Sequence, residues 1–277
     1  MTPLYPDAGR ARLDAIVQPG VLCMFDFDGT LAPIVPVPDQ AFLPEPVLAR
    51  LQTLQGLARI GILTGRALAD IAPRLHFIPD FLVGNHGLEG LPQTNLQISE
   101  QSSHFQDLCR AWHTEVQQAL TSGVLADPGV MVEDKLISLS IHYRHAERHE
   151  PVATALRVLF AGLTPAPRII GGKYVFNLLP QAAGDKGTAF EHLLRHSGAP
   201  SALYVGDDVT DEDVFRLRRP DVLSIRIGQS QHSSAEFFLR RHVDIVRLLD
   251  DLIQRLSGAT RATKGNLANP AEMKDSQ

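Results

Sequence analysis

The segment VLCMFDFDGTL at residues 21–31 limits what this chain can fold into more than any other stretch. Its apolar run, rich in Val, Leu, Met and Phe, reads as a buried strand, and Gly29 turns it into a loop. Asp26 and Asp28 stand two apart at the strand's carboxyl end. Side chains alternate along a strand, so both carboxylates are expected on one side and Phe27 on the other. Open α/β sheets bind their ligands at this end. Two carboxylates there repel each other unless a cation joins them, which implies Mg2+. The competing explanation is a strand-end turn in which both side chains cap backbone groups.

The same strand-then-glycine pattern recurs. A helical spacing over 44–55 (Val47, Leu48, Leu51, Leu54) stops at Gly56, and the short strand RIGILTG follows at 59–65. ALADIAPRL predicts a helix broken at Pro73, and FLVGNHG at 81–87 a third strand. Strands alternating with helices at this spacing predict a parallel sheet covered on both faces. The middle of the chain differs: a helix over 104–121 carrying Trp112, two strands over 130–144 around Asp134, a helix over 151–162, and a hairpin over 168–180 turning at Gly171-Gly172. That order suggests a small α+β unit with an antiparallel sheet. After Pro180 the first pattern returns, with helices over 186–197, 211–218 and 243–256 and strands over 202–208 and 222–228.

The fold class expected is therefore α/β, a Rossmann-like parallel-sheet core interrupted by an inserted α+β domain. The core is assigned to 1–88 and 183–258 and the insert to 89–182, with the polar stretch 259–277 expected to be disordered. A length of 277 residues suits one large domain or two small ones. The formal charge of −5 gives no general attraction to nucleic acid or to anionic membranes. No apolar run approaches the length of a membrane span, and the first twenty residues lack the apolar core of a signal peptide. Cys23 and Cys109 are too few for a zinc cluster or a disulfide framework and point to a reducing compartment. A cytoplasmic monomer acting on a small molecule is the expectation.

Further polar residues fall at predicted carboxyl ends of strands or at helix starts. Thr64 closes a strand in LTGR, Lys186 opens a helix in DKGTAF, and Asp207, Asp208 and Asp211 follow a strand in VGDDVTDED. Singly, each has a structural explanation: a helix N-cap, a solvated lysine, an acidic first turn. Together with Asp26 and Asp28 they supply a nucleophile, an acid/base, two phosphate clamps and a metal ligand. Other signals lead nowhere. His145 and His149 in HAERH stand at i,i+4 spacing with no third ligand, and Gly171-Gly172-Lys173 lacks the flanking residues of a nucleotide-binding loop.

In order and content, FDFDGTL, LTGR, the DKG lysine and GDDVTDED resemble the four motifs of haloacid-dehalogenase-type phosphatases. GNHGLE at 84–89, VEDK at 132–135, HYR at 142–144, GGK at 171–173 and GDDVTDEDVF at 206–215 are similar to the trehalose-6-phosphate phosphatase family within them. The resemblance spans about residues 20–228. It implies that the insert is a substrate-selecting cap and that Asp26 attacks phosphorus, forming an aspartyl-phosphate. Asp28 would protonate the departing sugar oxygen and then take a proton from water. Mg2+ would be held by Asp26, the Asp28 backbone carbonyl and Asp207, with Asp211 as a direct or outer partner. Thr64 and Lys186 would hold phosphoryl oxygens. By the same resemblance Glu133 and Lys135 would hold sugar hydroxyls, and Gly65, Arg66, His86, Glu89, Arg144, Lys173 and Asn177 are further candidates for sugar or phosphate. One departure stands out. The family usually carries a carboxylate at the position of Asn177 and a basic residue near Leu179. Another phosphorylated disaccharide or glycoside, such as glucosylglycerol or sucrose phosphate, is therefore a rival substrate. A catalytically inactive sugar-phosphate sensor is a further alternative, against which the intact set of Asp26, Asp28, Thr64, Lys186 and Asp207 speaks, and a phosphomutase is another.

Overall fold

The computed structural model describes residues 1–92 and 97–267, with 97–102 and 260–267 described by their helical backbone alone. The chain opens with β1 (Thr2–Pro3), α1 (Asp7–Ile16), β2 (Leu22–Phe25), α2 (Glu45–Gln55), β3 (Arg59–Leu63), α3 (Leu68–Leu75) and β4 (Phe81–Val83). Next come α4 (Gln97–Ala119), β5 (Met131–Asp134), β6 (Leu139–His142), α5 (His149–Gly162), β7 (Arg168–Gly172) and β8 (Val175–Leu179). It closes with α6 (Lys186–Ser197), β9 (Ala202–Gly206), α7 (Glu212–Phe215), β10 (Val222–Ile227), β11 (Phe237–Leu239) and α8 (Ile245–Leu267). Backbone contacts divide it into two units, Met1–Leu91 with Lys186–Gln277, and Pro92–Asp185.

The larger unit is an α/β fold on a seven-stranded sheet ordered β1-β11-β10-β9-β2-β3-β4, and every pair in it is parallel. All four residues of β2 are buried, and they feed two cores. Cys23 and Phe25 pack on one face with Leu51, Leu248 and Leu252, while Leu22 and Met24 pack on the other with Phe190, Leu193 and Phe215. An apolar run without alternation is what a strand covered on both faces requires.

Several elements differ from the sequence expectation for identifiable reasons. β1, α1 and β11 carried no readable signal: two of them have only two and three residues, and the buried face of α1 is Gly9, Leu13 and Ile16. Gly9 counts there as an apolar position because a Cβ would lie 1.9 Å from the Leu4 carbonyl oxygen. Pro73 does not break α3, which runs on to Leu75 before His76 turns left-handed at φ 54°. So close to the helix end the proline removes only the hydrogen bond to Ala69. The β7–β8 hairpin turns at Lys173-Tyr174, because Gly171 and Gly172 stay in the ladder opposite Phe176 and Val175. Residues 259–267, expected as the start of a disordered tail, continue α8 to Leu267, and 268–277 lie outside the described residues. Ala259, Arg261, Ala262 and Lys264 are good helix formers, and extending an established helix avoids a new nucleus.

The smaller unit is a four-stranded antiparallel sheet, ordered β5-β6-β8-β7, with α4 and α5 on one face. Trp112, fully buried between them with Val152, Leu156 and Phe160, donates its indole N–H to the Pro165 carbonyl at 2.8 Å. Replacing Trp112 with alanine removes the largest side chain of this core and should destabilise the unit by about 3–5 kcal/mol. Urea unfolding followed by circular dichroism measures that loss.

Candidate active site

β2 and β9 are neighbours at the middle of the parallel sheet, where the strand order reverses direction. That reversal opens a crevice at the carboxyl ends of the two strands. Asp26 follows β2 directly and Asp207 follows β9, and the Asp26 N–H still donates to the Val205 carbonyl at 2.9 Å. The ladder stops at Phe25, so strand alternation does not extend across Asp26 to Asp28, and the two carboxylates have separate partners. Gly29, at φ +83°, lets the loop pass against Asp207, where a Cβ would stand 2.1 Å from its Oδ2. Thr30, fully buried, donates its hydroxyl to Asp207 Oδ1 at 3.2 Å.

Lys186, the first residue of α6, is 2% exposed and bridges two carboxylates: Asp26 Oδ1 at 2.7 Å and Asp211 Oδ1 at 2.8 Å. Tyr204 donates its hydroxyl to the same Asp211 oxygen at 2.7 Å, and the backbone N–H groups of Asp207 and Asp208 both donate to Oδ2 at 2.8 Å. Four donors use up the acceptor capacity of one carboxylate. Asp211 is therefore an organiser that aims the loop after β9. Burial alone would lower the Lys186 pKa, but Asp211 and Asp26 more than reverse this and raise it above the usual lysine range. Burial also raises the Asp26 carboxyl well above its ordinary value against the pull of Lys186, with Asp211 and Asp207 adding to the rise. Asp207 is pushed up to about 7 by burial and by Asp211 and Asp208.

These shifts have one physical source: more negative charge is crowded into a dry site than Lys186 neutralises. Ligand oxygens of Asp26, Asp207 and Asp211 lie within 4.8 Å of one another. An all-oxygen, anionic donor set of this kind fits a hard divalent cation. Asp211 already accepts four donors, so Asp26 and Asp207 carry the less committed oxygens of the three. The Asp28 carboxylate, as distinct from the backbone carbonyl expected in the metal set, is gripped at 2.6 and 2.7 Å by Arg66. Arg66 also donates to Asp70 at 2.6 Å and to the Pro38 carbonyl at 3.0 Å. Its pKa rises although burial opposes this, because Asp28 and Asp70 both face it.

Around these groups, Thr64 is buried after β3, its hydroxyl accepting the Arg66 N–H at 3.2 Å. The Thr64 carbonyl accepts the His86 N–H at 2.9 Å. Asn85 and His86 take left-handed backbone angles, φ 47° and 57°. The His86 ring rests where Gly65 has no side chain, with its Cε1 2.4 Å from a hypothetical Cβ. Glu89 is committed to structure: its carboxylate accepts the Leu68 N–H that opens α3, at 2.9 Å. Sequence reasoning passed over Thr30 and Tyr204. The first lay inside FDFDGTL, and the second was visible as the hydroxyl-bearing residue of an otherwise apolar β9, two before Gly206.

In the smaller unit, Glu133 faces His142 at 2.9 Å and Lys135 at 3.8 Å. Asn177 meets Ser140, Lys173 is exposed at the hairpin tip, and the Arg144 carbonyl lies 2.9 Å from His149 Nε2. That contact and a tilted ring contact with Tyr174, centroids 4.3 Å apart, engage His149 in packing.

The trehalose-phosphatase family model matches residues 24–242. The trehalose-phosphate phosphatase of Mycobacterium ulcerans is 32% identical over 266 residues, 91% of this chain and 67% of that protein. The one from Mycobacterium tuberculosis is 33% identical over 273 residues, 93% of this chain and 68% of that protein. Among solved structures, a trehalose-6-phosphate phosphatase related protein superposes with a TM-score of 0.70 at 20% identity, covering 87% of this chain and 99% of that one, a likeness of fold. Among the described residues, no helix is long and apolar enough to cross a membrane.

Two outcomes are expected from the charge balance. A divalent cation at a hundredfold excess over its Kd should stabilise the protein by about 2.7 kcal/mol, read as a rise in Tm that EDTA removes and Asp207→Asn lacks. Tyr204→Phe, which deletes one of four donors to buried Asp211, should lower stability by about 1–2 kcal/mol in chemical denaturation.

Proposed function

The chain belongs to the trehalose-phosphatase family, and from that membership we propose that it hydrolyses trehalose 6-phosphate to trehalose and phosphate with Mg2+ at Asp26 and Asp207. The observation that carries this reading is the buried Lys186 bridge from Asp26 to Asp211, at 2.7 and 2.8 Å, beside Asp207 at the carboxyl ends of β2 and β9. Lys186 donates to Asp26 Oδ1, the oxygen that would also face Mg2+, and Oδ2 attacks phosphorus. As the Asp26–phosphorus bond forms, the bond to the sugar oxygen breaks, and Asp28, entering the step protonated, gives its proton to that oxygen. Asp28 then removes a proton from the water that cleaves the aspartyl-phosphate. Arg66 fixes where the Asp28 carboxyl sits, and Asp70 and the Pro38 carbonyl fix Arg66. Lys186 and the Thr64 hydroxyl hold phosphoryl oxygens as their charge shifts. Mg2+ supplies the positive charge that the three carboxylates and the phosphoryl group together require.

Sugar recognition is assigned to Glu133, Lys135, Arg144, Lys173 and Asn177 of the insert, with Gly65 and His86 shaping the phosphate side. Arg66 and Glu89 act by position: one through Asp28, the other by capping α3. Two unbridged thiols suit work in a reducing compartment, the cytoplasm.

The test is phosphate release from trehalose 6-phosphate beside sucrose phosphate and other sugar phosphates, with Mg2+ or EDTA. Strong preference for trehalose 6-phosphate, lost with EDTA, is the expected result. Metal-dependent release from another sugar phosphate would replace the substrate but keep the chemistry. Asp26→Asn should reduce kcat by about 10⁴-fold or more while the fold persists, and substantial residual turnover would remove Asp26 as the nucleophile.

A further inference from the structure

The smaller unit's sheet turns Leu139, Ile141, Phe176 and Leu178 toward α4 and α5. The opposite face carries Glu133, Ser140, His142 and Asn177. Three of these stand in one lateral row, because the register sets Glu133 opposite Ser140 and Ser140 opposite Asn177. Two unlike pairs share the row. A Glu133 carboxylate oxygen lies 2.9 Å from His142 Nε2, whereas Ser140 Oγ donates to Asn177 Oδ1 at 2.5 Å, a bond between two uncharged side chains.

Taking the proposed sugar-phosphate function as given, we propose that Ser140 sets the polarity of sugar recognition by locking the Asn177 amide with its oxygen inward, so that Asn177 meets a sugar hydroxyl as a donor. The separation of the two side chains supports this orientation, and their burial sets which edge is covered. A separation of 2.5 Å lies within the range of an O–H···O bond and below that of N–H···O. With the amide turned over, the Ser140 oxygen would face Nδ2 at a distance such bonds do not adopt. The hydroxyl itself is buried, 1% exposed, while Asn177 is half-buried and keeps one edge free to meet a ligand.

The surroundings explain why the outer edge is left to the ligand. The Asn177 register partner on its other side is Ile170, and its neighbours along the same face of β8 are Val175 and Leu179. None of these side chains can accept a hydrogen bond. The two Nδ2 hydrogens therefore have no acceptor in Ile170, Val175 or Leu179. Beside them in the same row stands the Glu133 carboxylate, an acceptor. A hydroxyl accepts and donates, so the row can read two hydroxyls of one sugar ring in opposite senses. Ser140 is a positioning residue here, acting through Asn177.

Fluorinated sugars separate the two senses, since fluorine in place of a hydroxyl can accept weakly but cannot donate. The experiment measures kcat/KM for trehalose 6-phosphate and for its mono-deoxy and mono-deoxyfluoro analogues on the unphosphorylated ring. Wild-type turnover of the parent compound tests the functional reading first, and its absence would overturn that reading together with this one. Given turnover, at one ring position the deoxy analogue should lose about tenfold while the fluoro analogue stays within a few-fold of the parent. Asn177→Asp, which replaces the donor edge by an acceptor, should abolish the fluoro tolerance at that position. Ser140→Ala should raise KM several-fold, leave kcat within about twofold and narrow the gap between fluoro and deoxy analogues. Ser140→Thr, which restores the hydroxyl, should recover the wild-type pattern. Fluoro and deoxy analogues behaving alike at every position would overturn the inference, as would a Ser140→Ala enzyme with wild-type KM and analogue pattern.

Discussion

A lysine ammonium almost sealed from water, shared between two carboxylates, is the constraint on which the larger unit of this protein is built. Lys186 has no solvent to fall back on, so Asp26 and Asp211 must both stay within reach of it. Removing one partner of such a buried set leaves an uncompensated charge, which is far more costly than losing a surface ion pair. The requirement fixes three segments far apart in sequence: the loop after β2, the start of α6 and the loop after β9. Asp211 passes the constraint on through its other oxygen, which holds the backbone of Asp207 and Asp208. Tyr204 ties the same carboxylate to β9. The result is a rigid anionic crevice whose repulsion is incompletely satisfied by protein groups.

A second constraint is independent of the first. Arg66 is shared between Asp28, Asp70 and a loop carbonyl, and Arg74 reinforces Asp70 from the next turn of α3. Asp70 stays below the usual carboxylate range, because Arg74 and Arg66 outweigh its burial. Two carboxylates two residues apart are thus given opposite settings. Asp26 sits in excess negative charge, and Asp28 sits under a guanidinium fork. One local sequence can serve two chemical roles because its neighbours differ.

The core was legible because inner strands of a parallel sheet must be apolar on both faces, and VLCMF, RIGIL and ALYVG have no other economical use. The acidic and basic residues that matter stood directly after those runs, so connectivity alone gathered them. What escaped was what only contact can reveal. Glu89 and Arg66 stand in sequence as candidate ligands for sugar or phosphate, and only the structure shows one accepting the Leu68 N–H and the other clamping Asp28. Tyr204 reads as one more aromatic in a strand until its hydroxyl is seen on Asp211. The helical run to Leu267 was hidden because polar composition speaks to burial and says little about whether an existing helix continues. The hairpin turn was misplaced because two glycines look like a turn even when a neighbouring valine fills the space of a missing side chain.

The placement of Trp112 has an optical consequence. It is the chain's single tryptophan, and it lies wholly inside the smaller unit. Indole emission therefore reports on that unit alone, while the four tyrosines are divided evenly, Tyr5 and Tyr204 in the larger unit and Tyr143 and Tyr174 in the smaller. The molecule carries a built-in spectroscopic label that follows the smaller unit without any engineered probe and stays dark to whatever happens around Asp26.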